Sequence, residues 1–234
     1  MEGINSITGC VVAIMIRTEN LCKSYGHHSQ YEVRAIHDIN VNIAKNCFVV
    51  FRGPSGSGKT TLLNIIGTLD RPTAGKVFLY DKEITSFSDI AFARLRREKI
   101  GFIFQNFHLI PRLTSWENVA YPLIPLGISL KERFERAQFF LEKMGLGDRL
   151  SHTPEELSGG QQQRVAIARA MINDPEIIIA DEPTSNIDEE TSAHILQYFE
   201  ELKIRGVTIL VATHSAIFEK IADTVYKMKN GRIE

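Results

Sequence analysis

The residues best suited to chemistry lie in Gly53-Pro54-Ser55-Gly56-Ser57-Gly58-Lys59-Thr60. The segment fits G-x-x-x-x-G-K-[ST], a loop that cradles phosphates. Its glycines allow successive backbone N–H groups to turn into one concavity, which attracts oxyanions. A helix beginning near Lys59 would add the positive end of its dipole. Lys59 would then reach the β- and γ-phosphates as a point charge, and the Thr60 hydroxyl would ligate Mg²⁺.

A second candidate follows the run Glu176-Ile177-Ile178-Ile179-Ala180, which ends in Asp181-Glu182. A β-branched run closing on Asp is the Walker B arrangement, whose carboxylate helps hold a metal. At the carboxyl end of a parallel strand, Asp181 would face the phosphate loop across the sheet edge where ligands bind. Glu182 suits a general base that polarises an attacking water. Read without the loop, the same pair could equally be a helix cap or a surface pair. His214 follows the apolar run 208–212 and would lie at the same edge, although a lone histidine there is commonly just a satisfied polar residue.

These groups need a scaffold, and the hydrophobic patterning supplies one. Residues 14–21 and 33–43 alternate apolar and polar, as half-buried strands do. Residues 47–51 are continuously apolar, which predicts a strand covered on both faces. Leu62, Leu63, Ile65 and Ile66 give residues 59–69 a helical apolar face. Strands are expected at 76–80 and 100–104, separated by a basic helix, Ala93-Arg94-Leu95-Arg96-Arg97, that reads as a solvated face. Prolines at 111, 122 and 125 and an amphipathic helix over 130–144 mark a helical insertion. Helices at 159–172 and 189–203, strands at 176–181 and 207–212, and a hairpin turning at Asn230-Gly231 complete the chain. Strands alternating with helices indicate an α/β fold around a mostly parallel sheet.

Composition narrows the partners. The 234 residues carry 27 basic against 28 acidic side chains, a net charge of −1, so no nucleic-acid footprint is expected. Cys10, Cys22 and Cys47 lack CxxC spacing, and His27 and His28 find no second cysteine near Cys22 to complete a metal site. Cys47 reads as a small core residue. So sparse a count fits a reducing compartment. The apolar run 10–16 is too short to span a bilayer, and residues 1–14 are expected to be a flexible extension.

The segment Leu157-Ser158-Gly159-Gly160-Gln161-Gln162-Gln163-Arg164 resembles the signature sequence of ABC ATPases. The resemblance runs from about Met15 to Glu234. It takes in Tyr25, the phosphate loop, Gln105, the signature, Asp181-Glu182, Ser185-Asn186-Ile187-Asp188 and His214 in the family's order. It implies a P-loop NTPase of ABC type with an N-terminal antiparallel β subdomain and a helical subdomain at about 106–156. It implies ATP as substrate and Mg²⁺ as cofactor. Gly53, Ser55, Gly56, Ser57, Gly58, Lys59, Thr60 and Thr61 would contact phosphates, and Tyr25 would stack on adenine. Gln105, with Thr60 and Asp181, would reach the metal, and Gln105 would also sense a membrane partner. Glu182 and His214 would act on the water and the γ-phosphate. Ser158, Gly160 and Gln161 would grip nucleotide held by the opposite subunit, with Asp188 at the interface. Two chains, head to tail, would sandwich two ATP molecules.

A narrower resemblance lies in residues 63–73, 101–111 and 113–119, which are similar to lipoprotein-release, macrolide-efflux and cell-division ATPases. It implies a subunit on the cytoplasmic face of the membrane. ATP-driven dimerisation would move an integral membrane permease; the alternative is an ATP-gated scaffold of a cell-division type complex with slow hydrolysis. A soluble translation or DNA-repair ATPase would generally need two cassettes or long coiled coils. Two departures stand out: Ser215 where the family usually has Asp, and Ser185-Asn186 opening the loop before Asp188.

Overall fold

Alternation of side chains along each strand decides how the layers stack. The computed structural model describes residues 13–26, 32–185 and 187–234. The chain opens with β1 (Ile14–Tyr25), β2 (Val33–Ala44), β3 (Phe48–Arg52), α1 (Lys59–Ile66), β4 (Ala74–Leu79) and β5 (Lys82–Glu83). Next come α2 (Asp89–Lys99), β6 (Ile100–Ile103), α3 (Ser115–Ala120) and α4 (Leu130–Lys143). It closes with α5 (Gly159–Met171), β7 (Ile177–Asp181), α6 (Glu189–Ile204), β8 (Thr208–Thr213), β9 (Thr224–Lys229) and β10 (Arg232–Ile233).

Two sheets form. An antiparallel one runs in the order β2-β1-β4-β5, and a six-stranded one in the order β10-β9-β3-β8-β7-β6. The second is parallel from β9 to β6, and only β10 turns back against β9. This is the expected mostly parallel core with an antiparallel β layer before it. In β3, Val49 and Phe51 join a core shared with the antiparallel sheet and α1, while Phe48 and Val50 join the core of α3–α6. Strands β7 and β8 divide the same way: Ile177, Ile179 and Leu210 face one side, Ile178, Ile209 and Val211 the other. Each such side chain, fully buried, stabilises the fold by about 1.5–3 kcal/mol. The double coverage is why these strands read as unbroken apolar runs.

The helical block between β6 and α5 is nailed down by polar contacts. Thr114 and Glu117 form a capping box at α3, and the fully buried Asn118 amide donates to the carbonyls of Ile110, Leu113 and Thr114. Among the described residues, no helix is long and apolar enough to cross a membrane.

Several boundaries differ from expectation. Helix α1 stops at Ile66, not 69, because Gly67 caps it and Thr68 turns left-handed at φ 61°. The basic face of α2 is not wholly solvated, since Arg96 Nη1 donates to the Thr68 carbonyl at 2.6 Å. Cys47 is half-buried against the core and not fully inside it. Residues 1–12, with Cys10, lie outside the described residues, as do His27, His28 and Asn186; Ile14 is already paired with Ala44 in β1.

Candidate active site

The phosphate loop joins β3, a central strand, to α1. Gly56 and Gly58 take φ of 77° and 98°, values L side chains rarely adopt. At Gly58 a Cβ would also lie 2.6 Å from the Ala35 carbonyl oxygen, and at Gly53 one would lie 2.2 Å from that of Met228. Helix α1 has no side-chain cap and no acid in its first turn, so its leading N–H groups remain for an anion. Lys59 is 6% exposed, and its Nζ donates to the carbonyls of Gly53 at 2.8 Å and Pro54 at 3.1 Å. It is thereby folded over the loop it serves.

Asp181 ends β7 and Glu182 follows it, between neighbours β6 and β8. Thr60 Oγ1 donates to Asp181 Oδ2 at 2.7 Å, while Asp181 Oδ1 is buried without a hydrogen-bond partner. Burial pushes the Asp181 carboxyl above its ordinary pKa, with the Thr60 bond working against that rise. Glu182 sits at φ 47°, a strained setting for a residue with a long side chain. Its carboxylate accepts from Thr213 Oγ1 at 3.0 Å and from the His214 backbone N at 3.1 Å, and lies 2.9 Å from His214 Nδ1. A carboxylate can only accept, so this contact places the imidazole proton on Nδ1. Lys59 Nζ is 3.9 Å from the same carboxylate.

One cavity of about 510 Å³ gathers these groups. Tyr25, Ser55, Gly56, Ser57, Gly58, Lys59, Thr60, Thr61, Gln105, Glu182 and His214 all line it. Tyr25 is held at its rim by a bond from its hydroxyl to Asp70 Oδ2 at 2.9 Å, and Lys23 Nζ lies 4.8 Å from its ring centre. Gly53 and Asp181 do not line the cavity, and Asp181 reaches the loop through Thr60.

Ser158, Gly160, Gln161 and Asp188 do not line this cavity. They form a separate cluster at two adjoining helix N-termini. Ser158 caps α5, exchanging hydrogen bonds with Gln161, and Asp188 caps α6 through the Thr191 N–H and hydroxyl. A Cβ at Gly160 would lie 3.0 Å from the Thr191 side chain, so glycine lets the two helix starts adjoin.

A family model described as "ABC transporter" matches residues 36–185. The chain belongs to that family. An uncharacterized ABC transporter ATP-binding protein of Thermotoga maritima is 48% identical over 205 residues, covering 88% of each chain. The macrolide export ATP-binding/permease protein MacB of Brucella melitensis is 41% identical over 94% of this chain, which spans about a third (34%) of that longer protein. Among solved structures, the dimeric post-hydrolysis state of the ATP-binding cassette MJ0796, bound to ADP and Pi, superposes with a TM-score of 0.89. It is 42% identical, covering 94% of this chain and 97% of that one. This chain is thus an ABC ATPase: it binds and hydrolyses ATP as the ATP-hydrolysing subunit of an ABC transporter.

The structure adds cassette residues that sequence patterning does not single out. Thr213, fully buried, steadies Glu182 and also accepts from the Ser215 N–H at 3.0 Å. That bond involves the backbone of Ser215, so the side chain that departs from the family pattern is not used in it. Gln163, buried in α5, donates to the Pro183 carbonyl at 2.8 Å and so ties the signature helix to the turn after Glu182. A Thr immediately before the histidine and a Gln inside an otherwise apolar helix face were the available signals.

Proposed function

We propose that this ABC ATPase works as a head-to-tail homodimer in which each ATP lies between the Lys59 loop of one copy and the Ser158–Gly160 helix tip of the other. The observation that carries this reading is the separation of the two elements suited to anions: the loop, Gln105, Glu182 and His214 line one cavity, and Ser158 and Gly160 do not line it. A capped helix start presenting glycine backbone is suited to a phosphate that this chain's own loop does not bring to it.

Within each site the residues divide the work. Tyr25 stacks on adenine, and the backbone from Gly53 to Thr61 and Lys59 hold the phosphates. Mg²⁺, when bound with the nucleotide, offsets the charge on the phosphates. Thr60 and the unpartnered Asp181 Oδ1 are hard oxygen ligands suited to it, and Gln105 completes that side. Glu182 takes the proton of the attacking water, and His214, aligned by Glu182 through Nδ1, stands beside the γ-phosphate. Preorganised donors around the developing charge supply most of the acceleration.

Dimer closure would move a membrane permease on the cytoplasmic side. A groove of about 740 Å³ supports this reading. It is lined by Phe102, Phe104, His108 and Tyr121 together with Arg96 and Arg169, and suits an amphipathic helix with an acidic end. We further assign residues 15–234 to one domain with a helical subdomain at about 106–156.

Complementation tests the shared site. Ser158→Arg and Lys59→Ala should each be inactive alone, but a mixture contains heterodimers with one intact composite site and should regain turnover. A mixture no more active than its parts would reject the sandwich.

A further inference from the structure

Two consecutive residues beyond Gln105, Phe107 and His108, hold φ of 57° and 49°. Left-handed backbone is unfavourable for both, and adjacent residues rarely share it. No turn glycine relieves them. Their carbonyl oxygens are instead gripped by one guanidinium: Arg169 Nη2 donates to Phe107 O at 2.6 Å and Nη1 to His108 O at 2.5 Å. Two parallel charge-assisted bonds from one planar fork fix direction as well as distance.

Arg169 lies in the last turn of α5, where its charge also suits the helix dipole. Ser158 caps the other end of that helix, about 16 Å away along its axis. Burial draws the Arg169 guanidinium pKa down to about 10, a sign that the charge is held in a desolvated place. The imidazole of the clamped His108 stacks on Phe104, which adjoins Gln105, at 4.8 Å between ring centres. The same guanidinium and the same two rings line the groove beside α2.

We propose that Arg169 is a positioning residue that clamps the strained Phe107–His108 turn and thereby sets Gln105 in the ATP cavity, linking the signature helix to the segment that meets the partner. The catalytic part of this inference rests on the role given to Gln105 above.

The test uses Arg169→Lys, which keeps a charge but has no fork, so it cannot span both carbonyls in the same geometry. Hydrogen exchange of the amides from 105 to 110 should quicken at least tenfold in Arg169→Lys, with the midpoint of global unfolding changed little. Turnover should fall about tenfold while KM for ATP stays within twofold. Adding Phe107→Gly, which makes the left-handed turn easy, should recover at least threefold of that loss. In a Gln105→Ala background, Arg169→Lys should lower turnover by less than a further twofold. Unchanged exchange, or no recovery with Phe107→Gly, overturns the clamp. If Arg169→Lys still costs tenfold in the Gln105→Ala background, the clamp does not act through Gln105. Normal turnover of Gln105→Ala alone overturns the role of Gln105 instead, whatever the exchange data show.

Discussion

Replacing Glu182 by Gln removes one negative charge and moves almost no atoms. Three donors hold the native carboxylate: the Thr213 hydroxyl, the His214 backbone N–H and the His214 Nδ1–H. A glutamine oxygen on the His214 side still accepts from its backbone N–H and Nδ1–H, while the NH₂ donates to the Thr213 hydroxyl, which can accept. Exchanging charge-assisted bonds for neutral ones costs about 1 kcal/mol of stability, a drop of roughly 2–4 °C in Tm for a chain of this size. The chemical effect is far larger. Loss of a positioned general base lowers turnover by roughly 10²–10⁴-fold, or about 3–5 kcal/mol in the barrier. ATP affinity should hold or rise, because a carboxylate 3.9 Å from Lys59 no longer competes with the phosphates for that charge. Phosphate release at saturating ATP, set beside equilibrium nucleotide binding, separates the two effects. A Glu182→Gln protein that hydrolyses ATP within tenfold of wild type would refute Glu182 as the base.

Other consequences follow from the same contacts. Gly53→Ala puts a methyl 2.2 Å from the Met228 carbonyl and should weaken ATP binding at least a hundredfold or prevent folding, read by nucleotide binding and circular dichroism. Tyr25→Ala should raise the Kd for ATP about tenfold while leaving turnover at saturation nearly unchanged, because its ring serves binding and not the phosphates. Tyr198 is nearly buried with an unpartnered hydroxyl, and burial lifts its pKa to about 12. The unfolded tyrosine ionises near pH 10 and the folded one does not, so wild type should lose roughly 2 kcal/mol between pH 10 and 12. Tyr198→Phe should lack that loss and be at least as stable at pH 7, as denaturant titration across pH would show.

Parts of this architecture were legible because they are local. The phosphate loop is a contiguous run whose glycines and lysine must fall in that order, and β3, β7 and β8 announce double burial through unbroken apolar residues. The contacts that arrange the site were not legible in the same way. Gln163 reaches Pro183, Thr213 reaches Glu182 and Arg169 reaches Phe107 through side chains meeting residues 20, 31 and 62 positions away. The early end of α1 belongs with them: nothing local predicts a β-branched Thr68 at φ 61°, and its carbonyl is held by Arg96 from another helix. Tyr25, Gln105 and the Ser158 cluster could be assigned roles through family resemblance alone, since no spacing within one chain tells which surface a second copy completes.

In the proposed dimer, one polypeptide contributes half of each ATP site. A crystal of the Glu182→Gln protein grown with ATP and Mg²⁺ tests it directly. The expected result is a two-fold dimer in which the γ-phosphate is contacted by Lys59 of one copy and by Ser158 of the other. ATP bound with Ser158 of every neighbouring copy turned away from the phosphates would contradict it.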